Sequence, residues 1–142
     1  MIAVADASVA LKWFFRDQPE ESDVDHALRL LWRLRAGRLE LIEPPHFIAE
    51  VAAVLARVSP RTAYIDLRDL LQIDLQIVSD PIVYELAVEL AIRLNHHLFD
   101  TLYHAVALSR DDAVLVTADR RYFDKARSFG RLVWLPNFDS SA

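Results

Sequence analysis

Three side chains spaced four residues apart, His96, Asp100 and His104 in the stretch RLNHHLFDTLYH, would form a line of metal ligands if one unbroken helix carried them. The surrounding residues argue against that helix. The apolar helical pattern that opens after Pro81 runs out at Leu94, and Asn95 is of a type that ends helices. The segment HHLF is therefore expected to link two helices, the second opening at Asp100, with His96 and His97 as link or surface residues and His104 near a pocket rim. No histidine metal site is expected. Asp100 remains, and three other acidic residues share its interest. Asp6 follows the apolar run IAVA, Asp119 follows AVLVTA, and Glu50 interrupts the apolar segment FIAEVAAVLA. An unpaired carboxylate among Ile, Ala and Val costs free energy unless it is neutralised, paired or bound to a cation. Each aspartate also suits a structural use, Asp119 and Asp100 as helix N-caps and Asp6 as an acidic strand end.

The elements that must position these residues read as alternating strands and helices. The chain has 142 residues, 54% of them hydrophobic, enough for one domain with a real core. Apolar runs at 2–6, 39–43, 75–78, 113–118 and 131–136 have the texture of strands buried on both faces. Between them, Val24 to Leu34 keeps one helical face apolar and ends near Gly37, and Phe47 to Val58 does the same. Ser59-Pro60 is expected to open a helix running to about 72, and Asp80-Pro81 another to about Leu94. This alternation predicts a single α/β/α sandwich around a mainly parallel sheet of about five strands, spanning 1–137, with a short frayed tail at 138–142. In such sheets the functional crevice lies beyond the carboxyl ends of the strands, where Asp6 and Asp119 stand.

Composition narrows the function classes. The net charge of -5 argues against a general nucleic-acid coat protein. The absence of cysteine excludes disulfides and thiolate metal sites and fits a reducing compartment. The apolar start is broken by Asp6 and Lys12 and lacks a basic leader, so a soluble cytoplasmic protein without membrane association is expected.

Four segments together resemble the motifs of a known family: VADASVALKWF with Asp6 and Ser8, PPHFIAEVAAVL with Glu50, LFDTLYHAVAL with Asp100, and LVTADRRYFDKA with Thr117 and Asp119. In this order and spacing they look like the four motifs of PIN-domain ribonucleases, and most of all the VapC toxins of toxin–antitoxin pairs. An Asp after a strand is common, whereas the ordered set of four is specific. Two departures are mild: His104 stands where the family pattern suggests an aliphatic residue, and the pair His96-His97 lies outside it.

The resemblance implies a parallel sheet whose acidic residues converge at one end, and cleavage of RNA phosphodiesters with Mg²⁺, for which Mn²⁺ substitutes. Two carboxylates ~4 Å apart repel by roughly 4 kcal/mol at an effective dielectric near 20, so a cluster of four needs protons or a cation. Oxygen ligands without cysteine select Mg²⁺ or Mn²⁺ over zinc. On this reading Asp6, Asp100 and Asp119 hold the metal directly or through water, Glu50 is a ligand or orients the metal-activated water, and Ser8 and Thr117 position carboxylates or waters behind them. Arg120, Arg121, Lys125, Arg127 and Arg131 follow Asp119, which suits either a basic rim for RNA, with Arg120, Arg121 and Lys125 foremost, or pairing with Asp111, Asp112 and Asp124.

Partners follow from the same resemblance: a VapB-like antitoxin laid in a hydrophobic groove, and a homodimer or a larger toxin–antitoxin assembly. LKWFF and Trp32 are candidates for the groove or for ordinary core, and the helices around 60–94 for the dimer surface. The alternatives are a free-standing PIN-domain RNA-processing nuclease and a catalytically inactive binding module, the second disfavoured because all four acidic positions are filled. Phosphoacceptor and haloacid-dehalogenase patterns fit poorly, since the second Asp of the latter is replaced by Ser8.

Overall fold

The computed structural model describes residues 1–138. Five strands form one sheet, all neighbours parallel, in the order β3, β2, β1, β4, β5, where β1 is Ile2–Ala5, β2 Glu40–Glu43, β3 Leu75–Ile77, β4 Ala113–Thr117 and β5 Leu132–Trp134. The chain moves outward from β1 to β2 and β3, then returns to the other side of β1 for β4 and β5. The topological switch therefore falls between β1 and β4, paired from Ile2 with Ala113 to Ala5 with Val116. Both strands are apolar and almost wholly buried, as a parallel sheet covered on both faces requires. β3 is a partial exception to the expected burial: Gln76 and Ile77 are exposed, because β3 is an edge and has a neighbour on one side only.

Among the described residues, helices α1 (Ala7–Phe14), α2 (Val24–Arg35), α3 (Phe47–Val58), α4 (Ala63–Leu71), α5 (Pro81–Leu94), α6 (Leu98–Leu108) and α7 (Arg120–Ala126) connect and cover the strands. Their ends follow local chemistry. Pro81 occupies the first turn of α5, Asn95 ends that helix in the left-handed region at φ 48°, and Gly37 follows α2 at φ 72°. Two starts differ from expectation. Ser59-Pro60 does not open α4: Ser59 instead closes α3, donating its N–H to the Leu55 carbonyl, and a turn to Thr62 precedes the new helix. α6 begins at Leu98, so Asp100 sits inside its first turn rather than capping it.

Trp13 is 3% exposed and donates its indole N–H to the Ala27 carbonyl at 2.9 Å, and Phe15 is buried as well. The core use of LKWFF therefore prevails over the groove use, and of the four aromatics weighed only Trp32 stands exposed, under the Arg38 guanidinium. Phe138, expected in the tail, is buried beneath the Arg33 guanidinium, since the turn Leu135–Asn137 packs back on α2; residues 139–142 lie outside the described residues. No helix among the described residues is long and apolar enough to cross a membrane.

Candidate active site

The switch point is built around Asp6. The residue leaves β1 and caps α1, accepting the Val9 N–H at 3.3 Å. Its carboxylate oxygens also accept the hydroxyls of Ser8 and Thr117, one each. Those hydroxyls in turn accept backbone N–H groups from the β4–α7 turn, Ser8 from Ala118 at 3.1 Å and Thr117 from Asp119 at 3.0 Å. The short side chains thus fix the Asp6 carboxylate to the turn that carries Asp119. Asp119 itself caps α7 through the Tyr122 N–H at 3.1 Å. Burial pushes the Asp6 carboxyl up to about 6, against the pull of its hydrogen bonds, and the nearby Asp119 adds to the rise.

A fifth acidic residue went unnoticed in the sequence. Glu43 ends β2 beside Asp6, is wholly buried, and accepts the Ala5 N–H on Oε2 at 3.0 Å while Oε1 finds no partner. Burial raises its carboxyl well above the usual range, and the charges of Asp6 and Glu50 raise it further. The only signal was its place at the end of an apolar strand, in line with Asp6.

Glu50 and Asp100 approach from α3 and α6. Glu50 is not enclosed by apolar side chains as its neighbours in sequence suggested: its side chain is 31% exposed and lies 3.4 Å from His46 Nε2. Asp100 is met by His96, whose Nε2 lies 2.7 Å from Oδ2. Tyr103 and Tyr122 form the floor. The buried Tyr103 hydroxyl feels the carboxylates of Glu50, Glu43, Asp6 and Asp100, and Tyr122 those of Asp100, Asp6 and Asp119. Burial first, and these charges second, hold both phenols protonated and their ionisation raised. The four acidic residues singled out in the sequence, and Glu43 with them, thus all lie within electrostatic reach of these two phenols.

A family model for the PIN domain matches residues 3–128, nearly the whole chain. The chain belongs to the PIN-domain family. No curated protein sequence matches it. Among solved structures it is similar to VapC20 of Mycobacterium tuberculosis, described as a Sarcin-Ricin loop cleaving toxin, with a TM-score of 0.61 at 14% identity over 82% of this chain and 87% of that one. At that identity the likeness concerns the fold, the parallel sheet between helices expected of a PIN domain.

Membership in this nuclease family asks whether the crevice suits a divalent cation. No three Asp, Glu or His side chains among the described residues of this PIN domain stand close enough to enclose an ion by themselves. The donor set nevertheless fits Mg²⁺ or Mn²⁺, which keep several waters and take few protein carboxylates. It offers carboxylate oxygens without sulfur, an Asp6 whose ionisation is held back by burial, and a Glu43 oxygen left without a partner.

His104 is no rim residue: it is wholly buried under the PIN domain's Tyr122. Its Nε2 donates to the Gly130 carbonyl at 2.7 Å, and because burial disfavours the charged ring, Nδ1 is left to accept the Tyr122 hydroxyl at 2.9 Å. Burial lowers its pKa from the model-compound value of 6.5. Its contribution to stability is therefore present above about pH 6.5 and lost as pH falls toward the lower folded-state value. His104→Leu leaves the buried Tyr122 hydroxyl without this partner, a loss of roughly 1–3 kcal/mol at neutral pH. Urea unfolding should find that deficit at pH 7.5 and a narrower one at pH 5.5; a deficit that widens on acidification would contradict the neutral assignment.

The basic residues after Asp119 divide. Arg120 pairs with Asp124 at 3.2 Å and lies over the rings of Phe123 and Trp134, and Arg131 donates to the backbone carbonyls of Arg110 and Ala113. For Arg131 these contacts correspond to the structural use of the basic run, whereas the Arg120 side chain stays 60% exposed within its pair. Arg121 and Lys125 instead line a hollow of about 230 Å³ together with Asn95, His96 and His97.

Proposed function

We propose that this PIN domain is a Mg²⁺- or Mn²⁺-dependent endoribonuclease, the toxin of a VapBC-type toxin–antitoxin pair. The observation that carries the reading is the convergence of Asp6, Glu50, Asp100 and Asp119 at the switch point of a parallel sheet, with hydroxyls of Ser8 and Thr117 holding the central carboxylate. The fold shared with VapC20, described as a Sarcin-Ricin loop cleaving toxin, supports structured RNA as the substrate class.

Asp6, Asp100 and Asp119 would hold the cation. When bound, the cation supplies a more acidic water and offsets charge building on the phosphate. Glu50, exposed to the crevice and close to His46, orients the attacking water and accepts its proton. Ser8 and Thr117 keep both Asp6 oxygens from rotating. Arg121 and Lys125 supply positive charge for a flanking phosphate, a local attraction that an acidic protein otherwise lacks.

Two partners belong to the reading: a VapB-like antitoxin, and a second copy of the chain. The exposed Tyr64 and Ile65 on α4 and Ile82, Val88 and Ile92 on α5 form apolar surface suited to a homodimer. Light scattering should find a dimer, and Ile92→Glu a shift toward monomer; an unchanged mass would move the dimer surface elsewhere.

The test of function is cleavage of a structured RNA by purified protein. Mn²⁺ should support it and EDTA abolish it, and the products should carry no 2′,3′-cyclic phosphate, because water rather than the ribose 2′-hydroxyl attacks. Growth arrest on induction, relieved by co-expressing a short upstream gene, separates a toxin from a free-standing RNA-processing nuclease. Metal-independent cleavage with cyclic ends would overturn the proposal.

A further inference from the structure

The link between α5 and α6 holds an arrangement that the nuclease reading leaves unused. His96 belongs to neither helix, yet its side chain is only 7% exposed and lies between two charged groups of opposite sign. Nε2 is 2.7 Å from the Asp100 carboxylate, and Nδ1 is 3.3 Å from the Lys125 ammonium. Lys125 also donates to the Asn95 carbonyl at 3.1 Å, and this carbonyl is placed by the left-handed turn that ends α5. The Tyr122 ring packs edge-on against the imidazole, centroids 5.0 Å apart, and stops it from swinging away.

The hydrogen-bond chemistry assigns the tautomer. An ammonium has three donors and no acceptor, so the Nδ1 facing it must present a lone pair. The ring hydrogen then sits on Nε2, pointed at Asp100, whose carboxylate can only accept. Lys125 thus fixes which nitrogen of His96 donates, and His96 fixes the rotamer of Asp100. An Asp in the first turn of a helix otherwise samples several rotamers and competes for backbone N–H groups. Resting on the cation-dependent nuclease reading above, we infer that His96, set by Lys125, is a positioning residue that holds the Asp100 carboxylate ready to receive the divalent cation.

The arrangement resembles in logic the hydrogen bonds that orient metal-binding carboxylates from behind, whose removal weakens metal affinity about 10–100-fold. His96 engages Oδ2, so this bond does not occupy Oδ1. It also lies against the hollow lined by Arg121 and Lys125, so the same ammonium that would attract a phosphate sets the histidine behind the ligand.

Isothermal titration of Mn²⁺ into wild type, His96→Phe, His96→Gln and Lys125→Met tests this without measuring activity. His96→Phe keeps the ring's bulk against Tyr122 and removes the donor; its Mn²⁺ affinity should fall about tenfold or more. His96→Gln puts an amide N–H near the place of Nε2 and should restore affinity to within about threefold of wild type. Lys125→Met, at a half-buried position of α7, should fall between them, which keeps the test sharp if His96→Phe folds poorly. Metal-free melting curves separate a folding defect from a site defect. Mn²⁺ affinity unchanged in folded His96→Phe and in Lys125→Met, while wild type binds, would overturn this assignment alone. Absence of Mn²⁺ binding by wild type would overturn the metal reading and this assignment with it.

Discussion

Asp6→Asn is expected to make the metal-free protein more stable at pH 7.5, by about 2 kcal/mol, while abolishing Mn²⁺-dependent cleavage. Burial lifts the Asp6 carboxyl from 3.8 to about 6 in the folded protein. A rise of two units corresponds to roughly 3 kcal/mol, reduced here because the side chain is only partly shielded from water. The sign follows from linkage: with the folded value above the unfolded one, Asp6 favours the folded state fully below about pH 4, and that contribution is lost as pH rises through about 6. Asparagine caps a helix as well as aspartate does: its Oδ1 can keep the Val9 N–H and the Ser8 hydroxyl, and the Thr117 hydroxyl can turn to accept from its amide N–H. Melting in EDTA should place the variant roughly 5–10 °C above wild type at pH 7.5, with the gap narrowing as pH falls and closing only below about pH 4. Mn²⁺ should stabilise wild type, by about 2.7 kcal/mol at a hundredfold excess over its dissociation constant, and leave the variant unmoved. A variant less stable than wild type at pH 7.5 would show that the acidic centre carries no electrostatic load for a cation to relieve.

Trp13→Ala should cost about 3–5 kcal/mol, the largest loss expected of any single truncation at the N-terminal end. Trp13 joins α1 to α2 by shape and by its indole bond to the Ala27 carbonyl, and neither can be replaced by water without opening the core. Trp32→Ala, at a position 60% exposed, should change stability by no more than about 0.5 kcal/mol. Urea unfolding of the two variants separates the structural from the binding aromatics. If Trp13→Ala cost less than about 1 kcal/mol, that aromatic would belong to the surface after all.

The sheet, its parallel order and the helix ends at Pro81, Asn95 and Gly37 were legible because they rest on local signals: apolar runs, a proline at a first turn, residues that adopt left-handed backbone. Asp6 and Asp119 stood out because strand ends and family resemblance point the same way, Glu50 as a charge in an apolar run, and Asp100 through the resemblance. What stayed hidden depends on contacts between distant residues. Glu43 looks like any charge closing a strand until β1 lays the Ala5 N–H against it. His96 looks like a linker residue until α7 brings Lys125 beside it, 29 positions away in sequence. His104 looks like a surface histidine until Gly130 and Tyr122 supply both of its partners. Histidines and buried acids are read wrongly from sequence for one reason: their state is set by what faces them, and periodicity carries no record of that.

The central claim, that carboxylates gathered from four separate elements act as one cation-dependent centre for RNA hydrolysis, is tested most directly at Asp100. It caps no helix and is bonded to His96 rather than to the hydroxyls that hold Asp6, so its loss leaves the N-terminal scaffold untouched. The measurement is the single-turnover cleavage rate of a structured RNA in saturating Mn²⁺ by wild type and by Asp100→Asn, both verified as folded. The variant should be slower by a factor on the order of a hundred or more, about 2.7 kcal/mol of lost transition-state stabilisation. Full cleavage by Asp100→Asn would contradict it.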